Sequence, residues 1–382
     1  MRVLRLLVPA VLCALVPSAA APAGGPPGVV SVRPLTALDR AFAAYAERTP
    51  APDHWTGGDS TYSVRTPAGE LWIFSDTFLG TIRPDGSRSP VTGDGGTTPF
   101  LHNSFVLWGP AGPRTVTGRD RAGRPASVVP EPDAGSWYWA RAGVMEGREA
   151  AVVYVRYART GPGPLDVAAR GSVLARFAPG RGRPRSLTPL PAVPRVAWGA
   201  WLERQGRYTY VYGTEPDGSG GHHVRLARVA GPGLRGPWAY WTADGRWSAD
   251  PARAARLAGP GGAPLRTSDE LSVVRHGAWY ALVTQRADRP FSAEVCLAWS
   301  RGPGGPFTRP RPVWTAPEAG PYGTYRDADV IAYNPHEHPE LERPGELVVS
   351  YNVNSLDPAG VLRRAAIYRP RFVRVVLRPP AR

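Results

Sequence analysis

The chain has 382 residues, including 44 Gly and 44 Pro, and 42% of it is hydrophobic. That apolar content excludes wholesale disorder, while the Gly and Pro load excludes a helical bundle or coiled coil, because both residues are costly inside helices. The formal net charge of +15 is carried by arginine without any lysine and is scattered along the chain, so no nucleic-acid partner is expected.

In chain order, Arg2 and Arg5 precede an apolar run at residues 6–16 and small residues at 18–23, which predicts a secretory signal peptide over 1–23. Roughly a dozen apolar residues cannot cross a hydrocarbon core ~30 Å thick. The expected product is therefore secreted and extracellular, with no membrane attachment after cleavage. Cys13 lies inside the signal and leaves Cys296 alone, so neither a disulfide nor a thiolate metal cluster is expected. Residues 24–50 read as an N-terminal extension. It holds a short strand at 29–32, able to pair with the last repeat, and a helix over 35–48 with Leu38, Ala41, Phe42 and Tyr45 at helical spacing.

Residues 51–378 carry an internal repeat. Five times, an alternating segment meets a glycine turn and an apolar strand follows; the glycines are Gly69, Gly147, Gly206, Gly277 and Gly345. A third β-like run comes after each hairpin, at 103–108, 172–177, 223–229, 294–299 and 367–376, and weaker fourth runs lie at 238–241 and 312–314. Four antiparallel strands repeated five times predict an all-β, five-bladed β-propeller. A β-sandwich would alternate similarly but need not repeat glycine hairpins at this period.

In such a blade the start of the first strand and the turn from second to third strand share one face. First-strand starts carry Asp59, Trp139 with Arg141, Trp198, Asp269 with Glu270, and Arg326 with Asp327. The second-to-third turns carry Asp76, His102 with Asn103, Glu215, and Asn352 with Asn354. Carboxylates, amides and indoles around one funnel suit a sugar, since indoles stack on its apolar faces and carboxylates bond hydroxyls or move protons. Asp269 and Glu270 are adjacent, so an extended strand would point only one of them inward.

Nucleophile-elbow, P-loop and dinucleotide motifs are lacking. His336-Glu337-His338 offers alternating imidazoles, but in the Pro-rich stretch 334–345 it reads as a solvated loop on the face remote from the funnel. No metal and no cofactor are expected, and no spacing supports a structural cation at the centre.

The segments Trp55-Thr-Gly-Gly-Asp-Ser60, Leu71-Trp-Ile-Phe-Ser-Asp-Thr77, His102-Asn-Ser104 and Ser268-Asp-Glu-Leu271 resemble the five-bladed propeller glycoside hydrolases of the arabinanase-like kind. They are more similar still to exported actinobacterial propeller families of unknown function, whose relatives include endo-D-arabinanases. The resemblance implies a catalytic base at the first blade start, matched by Asp59. It also implies carboxylates at the second and third blade starts, where this chain has Trp139, Arg141 and Trp198. The general acid is then open among Asp76, Asp269, Glu270 and Asp327, with His102, Asn103, Trp139, Arg141, Trp198, Glu215, Asp269, Arg326 and Asn352 as substrate-binding candidates. The expected protein is a monomeric secreted glycoside hydrolase with a polysaccharide or oligosaccharide as partner, an arabinan-type furanoside polymer being the implied substrate. The alternative is a glycan-binding propeller without catalysis, because two carboxylate positions are lost.

Overall fold

The computed structural model describes residues 24–48, 51–163, 166–231 and 233–378; residues 1–23, expected to be a signal peptide, lie outside them. Among the described residues no helix is long and apolar enough to cross a membrane. The chain is mostly sheet. Sheet I runs Tyr62–Thr66, Gly69–Phe74, Ser104–Gly109, Gly112–Val116, and sheet II runs Ser136–Glu146, Glu149–Arg159, Val167–Phe177, Ser186–Pro189. Sheet III holds Ala197–Gln205, Tyr208–Pro216, His222–Ala230 and Trp238–Trp241, with two short strands added. Sheet IV is Leu271–His276, Trp279–Gln285, Glu294–Ser300, Arg311–Thr315. Sheet V starts with Val330–Glu337, Glu346–Ser355 and Pro370–Arg378, and its fourth strand is the N-terminal Gly28–Pro34.

The hairpins form where the sequence places glycine, because the turn needs a positive φ that side chains resist. All five turn glycines have it, from +57° at Gly206 to +126° at Gly69, where a Cβ would meet the Trp108 carbonyl at 2.3 Å. Second strands read as unbroken apolar runs, such as Ala150 to Val155, because neighbouring sheets cover both of their faces. The five first strands stand side by side in chain order. Tyr62 of sheet I donates to the Ala200 carbonyl of sheet III at 3.2 Å, and the His336 ring of sheet V lies 3.8 Å from the Tyr62 ring. Sheet V thus returns against sheet I.

The N-terminal strand pairs antiparallel with Pro370–Arg378, so the last sheet is completed from the opposite end of the chain: Pro370–Arg378 is paired on both sides and the N-terminal strand becomes the outer edge. The helix that follows spans Thr36–Ala46. Its apolar stripe buries Phe42 among Trp72, Trp108 and Phe372, with ring centroids 5.0–5.6 Å apart. On the same helix, Asp39 accepts the Phe372 backbone N–H at 2.9 Å. Burial outweighs that bond and raises its carboxyl to about 6. A folded-state pKa above the unfolded one means that the native state loses stability as pH rises from about 4 to 6. Asp39→Asn is accordingly expected to stabilise the protein at pH 7.5, by at most ~1 kcal/mol for a partly exposed group and so with a raised Tm, and to leave Tm unchanged at pH 4. Thermal melts of both proteins at the two pH values check this.

One expectation fails. His336, Glu337 and His338 do not lie in a solvated loop: they are 0%, 1% and 0% exposed. The strand continues to Glu337 through a register shift between Tyr333 and His336, where Asn334 takes φ 52°. The shifted strand aims His336 at the axis and Glu337 at sheet IV, while His338 reaches Ser350 at 2.8 Å.

Candidate active site

A cavity of about 460 Å³ opens where the first strands begin. Its acidic lining is Asp59, Asp76, Asp269 and Glu270, and its aromatic lining includes Phe78, Phe100, Trp139, Tyr157, Tyr333 and Tyr368. Asp59 sits at the end of Ala51–Gly58, just before two non-glycine residues in the left-handed region, Ser60 at φ 66° and Thr61 at φ 48°. Phe291 and Asn334, also on the cavity wall, share that strain. Each such residue costs on the order of 1 kcal/mol, and such positions cluster at functional sites.

The tight turn carries Ser60 into the centre. Its hydroxyl reaches Ser75 Oγ at 2.9 Å and Glu270 Oε1 at 2.8 Å. The other Glu270 oxygen faces His336 Nε2 at 3.1 Å. Burial lowers the His336 pKa against the pull of Glu270, which keeps the imidazole neutral near pH 7.

Asp59 Oδ2 accepts the Tyr333 hydroxyl at 2.6 Å, and Asn354 Nδ2 holds that phenol at 3.1 Å. Asp59 Oδ1 is buried without a partner. Burial first, and then the neighbouring Asp76 charge, push the Asp59 carboxyl well above the ordinary carboxylate range, against the Tyr333 and Tyr368 hydroxyls. Asp76 lies in the bend between Gly69–Phe74 and Thr77–Gly80, its carbonyl accepting the Asp59 N–H at 3.2 Å. Its carboxylate takes Trp139 Nε1 at 2.8 Å and His102 Nδ1 at 2.9 Å. For His102, burial opposes charge, but the Asp76 bond prevails and raises its pKa.

Asp269 lies across the cavity in a different setting. Arg141, buried at 1% exposure, bonds its Oδ2 at 2.5 Å and also reaches Tyr157 Oη at 2.6 Å. Thr214 donates to Asp269 Oδ1 at 2.7 Å. Burial works against ionisation there, yet Arg141 and then His222 hold this carboxyl well below its usual range. The four carboxyls therefore divide into one favoured in the acid form, Asp59, one held ionised, Asp269, one bonded to an indole and an imidazole, Asp76, and one bonded to the Ser60 hydroxyl, Glu270.

Asp269 and Glu270 both line the cavity, contrary to the expected alternation. The strand begins only at Leu271, so the pair lies in a bend where the period of two does not apply. Asp327 and Arg326 lie elsewhere, on an exposed turn where Asp327 accepts the Asp329 N–H at 3.1 Å. Glu215 is engaged by Arg225 and Arg256. Trp198 is a core ring against Trp238 and Tyr240. Asn103 bonds the carbonyls of Val129 and Tyr138, and Asn352 supports the Ser60–Thr61 turn through Thr61 Oγ1 at 2.8 Å. Tyr157, Tyr333 and Tyr368 were not among the candidates. Tyr157 and Tyr333 lie within apolar strands and Tyr368 just before one, where a tyrosine reads as core until the neighbouring carboxylate is known.

A larger hollow of about 840 Å³ between sheets II and III adjoins this cavity and shares Tyr157 and Asp269 with it. Among the described residues, Asp269 is the one carboxylate in its lining, whereas the smaller space gathers four.

The family described as "Domain of unknown function (DUF5005)" matches residues 39–377. The chain belongs to that family. No curated protein matches the sequence. Among solved structures, a "putative hydrolase" from Bacteroides ovatus superposes with a TM-score of 0.71 at 22% identity, covering 90% of each chain, which establishes a shared fold. A GH43_1 enzyme from Xanthomonas citri complexed with xylotriose gives a TM-score of 0.47 at 14% identity, covering 89% of this chain and 93% of that one. CoXyl43, a GH43 β-xylosidase/α-arabinofuranosidase from a compost microbial metagenome, gives 0.46 at 12% identity, with 92% and 94% covered. The DUF5005 chain thus shares the fold of the Bacteroides ovatus protein.

Proposed function

We propose that this DUF5005 chain is an exported five-bladed propeller that hydrolyses glycosidic bonds in a polysaccharide. The observation that carries this reading is Asp59 in a cavity with Asp76 and Glu270: a carboxyl favoured in its acid form, one oxygen unpartnered, beside two further carboxyls and an aromatic wall. Glycoside hydrolysis needs such a division, an acid to protonate the leaving oxygen and a carboxylate to attack the anomeric carbon or activate water.

Asp59 supplies the proton, a reversal of the base role implied by the sequence resemblance, because burial and the Asp76 charge favour its protonated form. Glu270, fixed by Ser60 and faced by His336, is the carboxylate partner. Asp76, gripped by Trp139 and His102, keeps Asp59 protonated and accepts sugar hydroxyls. Trp139 and Tyr157 offer faces for the ring, and the adjoining hollow past Asp269 gives room for further residues of a polymer. An arabinan-type furanoside is the first substrate to try, on the strength of the sequence resemblance.

The test is incubation of the purified chain with arabinan and xylan, followed by chromatography and mass spectrometry of the soluble products. Release of oligosaccharides with new reducing ends is expected. Retention on a polymer without any release would favour a glycan-binding propeller and overturn the hydrolase reading.

A further inference from the structure

We infer that His276, Glu337 and Glu342 form a site for one divalent transition-metal ion, zinc being the best match, at the end of the propeller axis remote from the carboxyl cavity. Glu270 precedes the first strand of sheet IV and His276 ends it, which separates the two places by about 20 Å at a strand's rise per residue.

One ligand atom from each of the three side chains lies within 4.8 Å of the others. His276 Nε2 contacts Glu337 Oε1 and stands 4.0 Å from Glu342 Oε2. Each group is held independently. The Glu337 backbone N–H donates to Ser272 Oγ at 3.0 Å, and the other Glu342 oxygen accepts the Val348 N–H at 3.0 Å. Glu342 is therefore anchored by one oxygen with the second turned toward His276.

The observation that points to a ligand is Glu337. Its side chain is fully buried, and Oε2 meets no N–H or hydroxyl donor, only the neighbouring Glu342 carboxyl. Among the described residues no arginine forms an ion pair with Glu337 or Glu342, and His276 is the one basic group paired with them. One imidazole N–H cannot serve both carboxylates, and a buried charge without a partner is not tolerated at a site packed this closely. A dication bound by Nε2 and two carboxylate oxygens answers both needs. Imidazole with two carboxylates is a zinc-type donor set, and three protein ligands leave a fourth position for water. His276 is 22% exposed, which gives an ion a way in from the surface.

The ion would join sheet IV, through His276, to the end of the first strand of sheet V and to the segment following Pro339–Leu341. This role is structural and does not depend on the hydrolase reading.

The full chain, stripped with a chelator and dialysed, is titrated with zinc chloride and, separately, with cobalt chloride. One equivalent of zinc by elemental analysis is expected, together with a rise in Tm on zinc addition and intense visible cobalt bands of a four-coordinate site with a nitrogen ligand. Glu342→Gln and His276→Gln are expected to weaken zinc binding by roughly tenfold or more. Glu340→Gln, outside the triad, is expected to bind as the parent does. Substoichiometric zinc with no visible cobalt bands in the parent chain overturns the site, and so does undiminished binding in both triad variants. Preference for calcium over zinc also overturns the assignment. If a triad variant fails to fold, the cobalt spectrum of the parent chain decides.

Discussion

Replacing Asp59 with asparagine is expected to lower glycan hydrolysis by roughly 10²–10⁴-fold, the usual contribution of a positioned acid or base. Asparagine keeps an oxygen able to accept the Tyr333 hydroxyl but has no proton to give a leaving group. The Asp59 carboxyl is raised by burial and by the Asp76 charge, so its ionised form is a burden on the native state. The variant should therefore melt at the parent's Tm or above it, with the difference growing as pH rises through the raised pKa. Initial rates of oligosaccharide release and thermal melts on the same preparations check both halves. An Asp59→Asn protein that hydrolyses at the parent's rate removes Asp59 from the mechanism. One that loses activity together with its fold shows a structural role instead.

Arg141→Met is expected to destabilise the protein by about 3 kcal/mol, because it leaves two carboxylates facing each other without their shared cation. The guanidinium bonds Asp269 at 2.5 Å, lies 3.9 Å from Glu270 and holds Tyr157 at 2.6 Å, all from a fully buried position. For a chain of this size the loss corresponds to a Tm drop on the order of 4 °C. Its pH dependence follows from Asp269, whose folded pKa is depressed against burial by Arg141 and His222. That stabilisation is present above the unfolded carboxylate pKa of about 4 and fades as pH falls below it. The gap between parent and variant should consequently be widest near neutral pH and narrow below pH ~4. Calorimetric melts at several pH values measure it, and a constant gap would mean that methionine packing dominates.

Much of this architecture was legible before any coordinates. Glycine in a two-residue turn between alternating runs is a local signal, since the turn's φ is decided within the turn itself; Gly147, Gly206 and Gly277 each lie at φ near 60°. The same locality made the Thr36–Ala46 helix readable from its spacing, over 35–48, and the Gly28–Pro34 strand from the short run at 29–32. The shared face was legible too, because strand direction alternates regularly within a sheet. Hence Asp59, Asp76, Trp139, Arg141 and Glu270, distant in sequence, were placed together and line one cavity.

The sequence by itself determined that glycine-turned strands repeat, that the chain's first strand can complete its last sheet, and that acids and indoles gather at one end. Only the tertiary structure decided which of those groups meet a ligand and which meet a partner. Glu215 found two arginines, Trp198 found other rings, and Asp327 found its own backbone. The buried His336-Glu337-His338 run was likewise hidden, because a one-residue irregularity at Asn334 turned polar side chains into spaces lined by other sheets. The reason is one of range. Turn and strand preferences act over a few residues, whereas burial and ionisation are set by neighbours two hundred positions away, such as Ser60 beside Glu270.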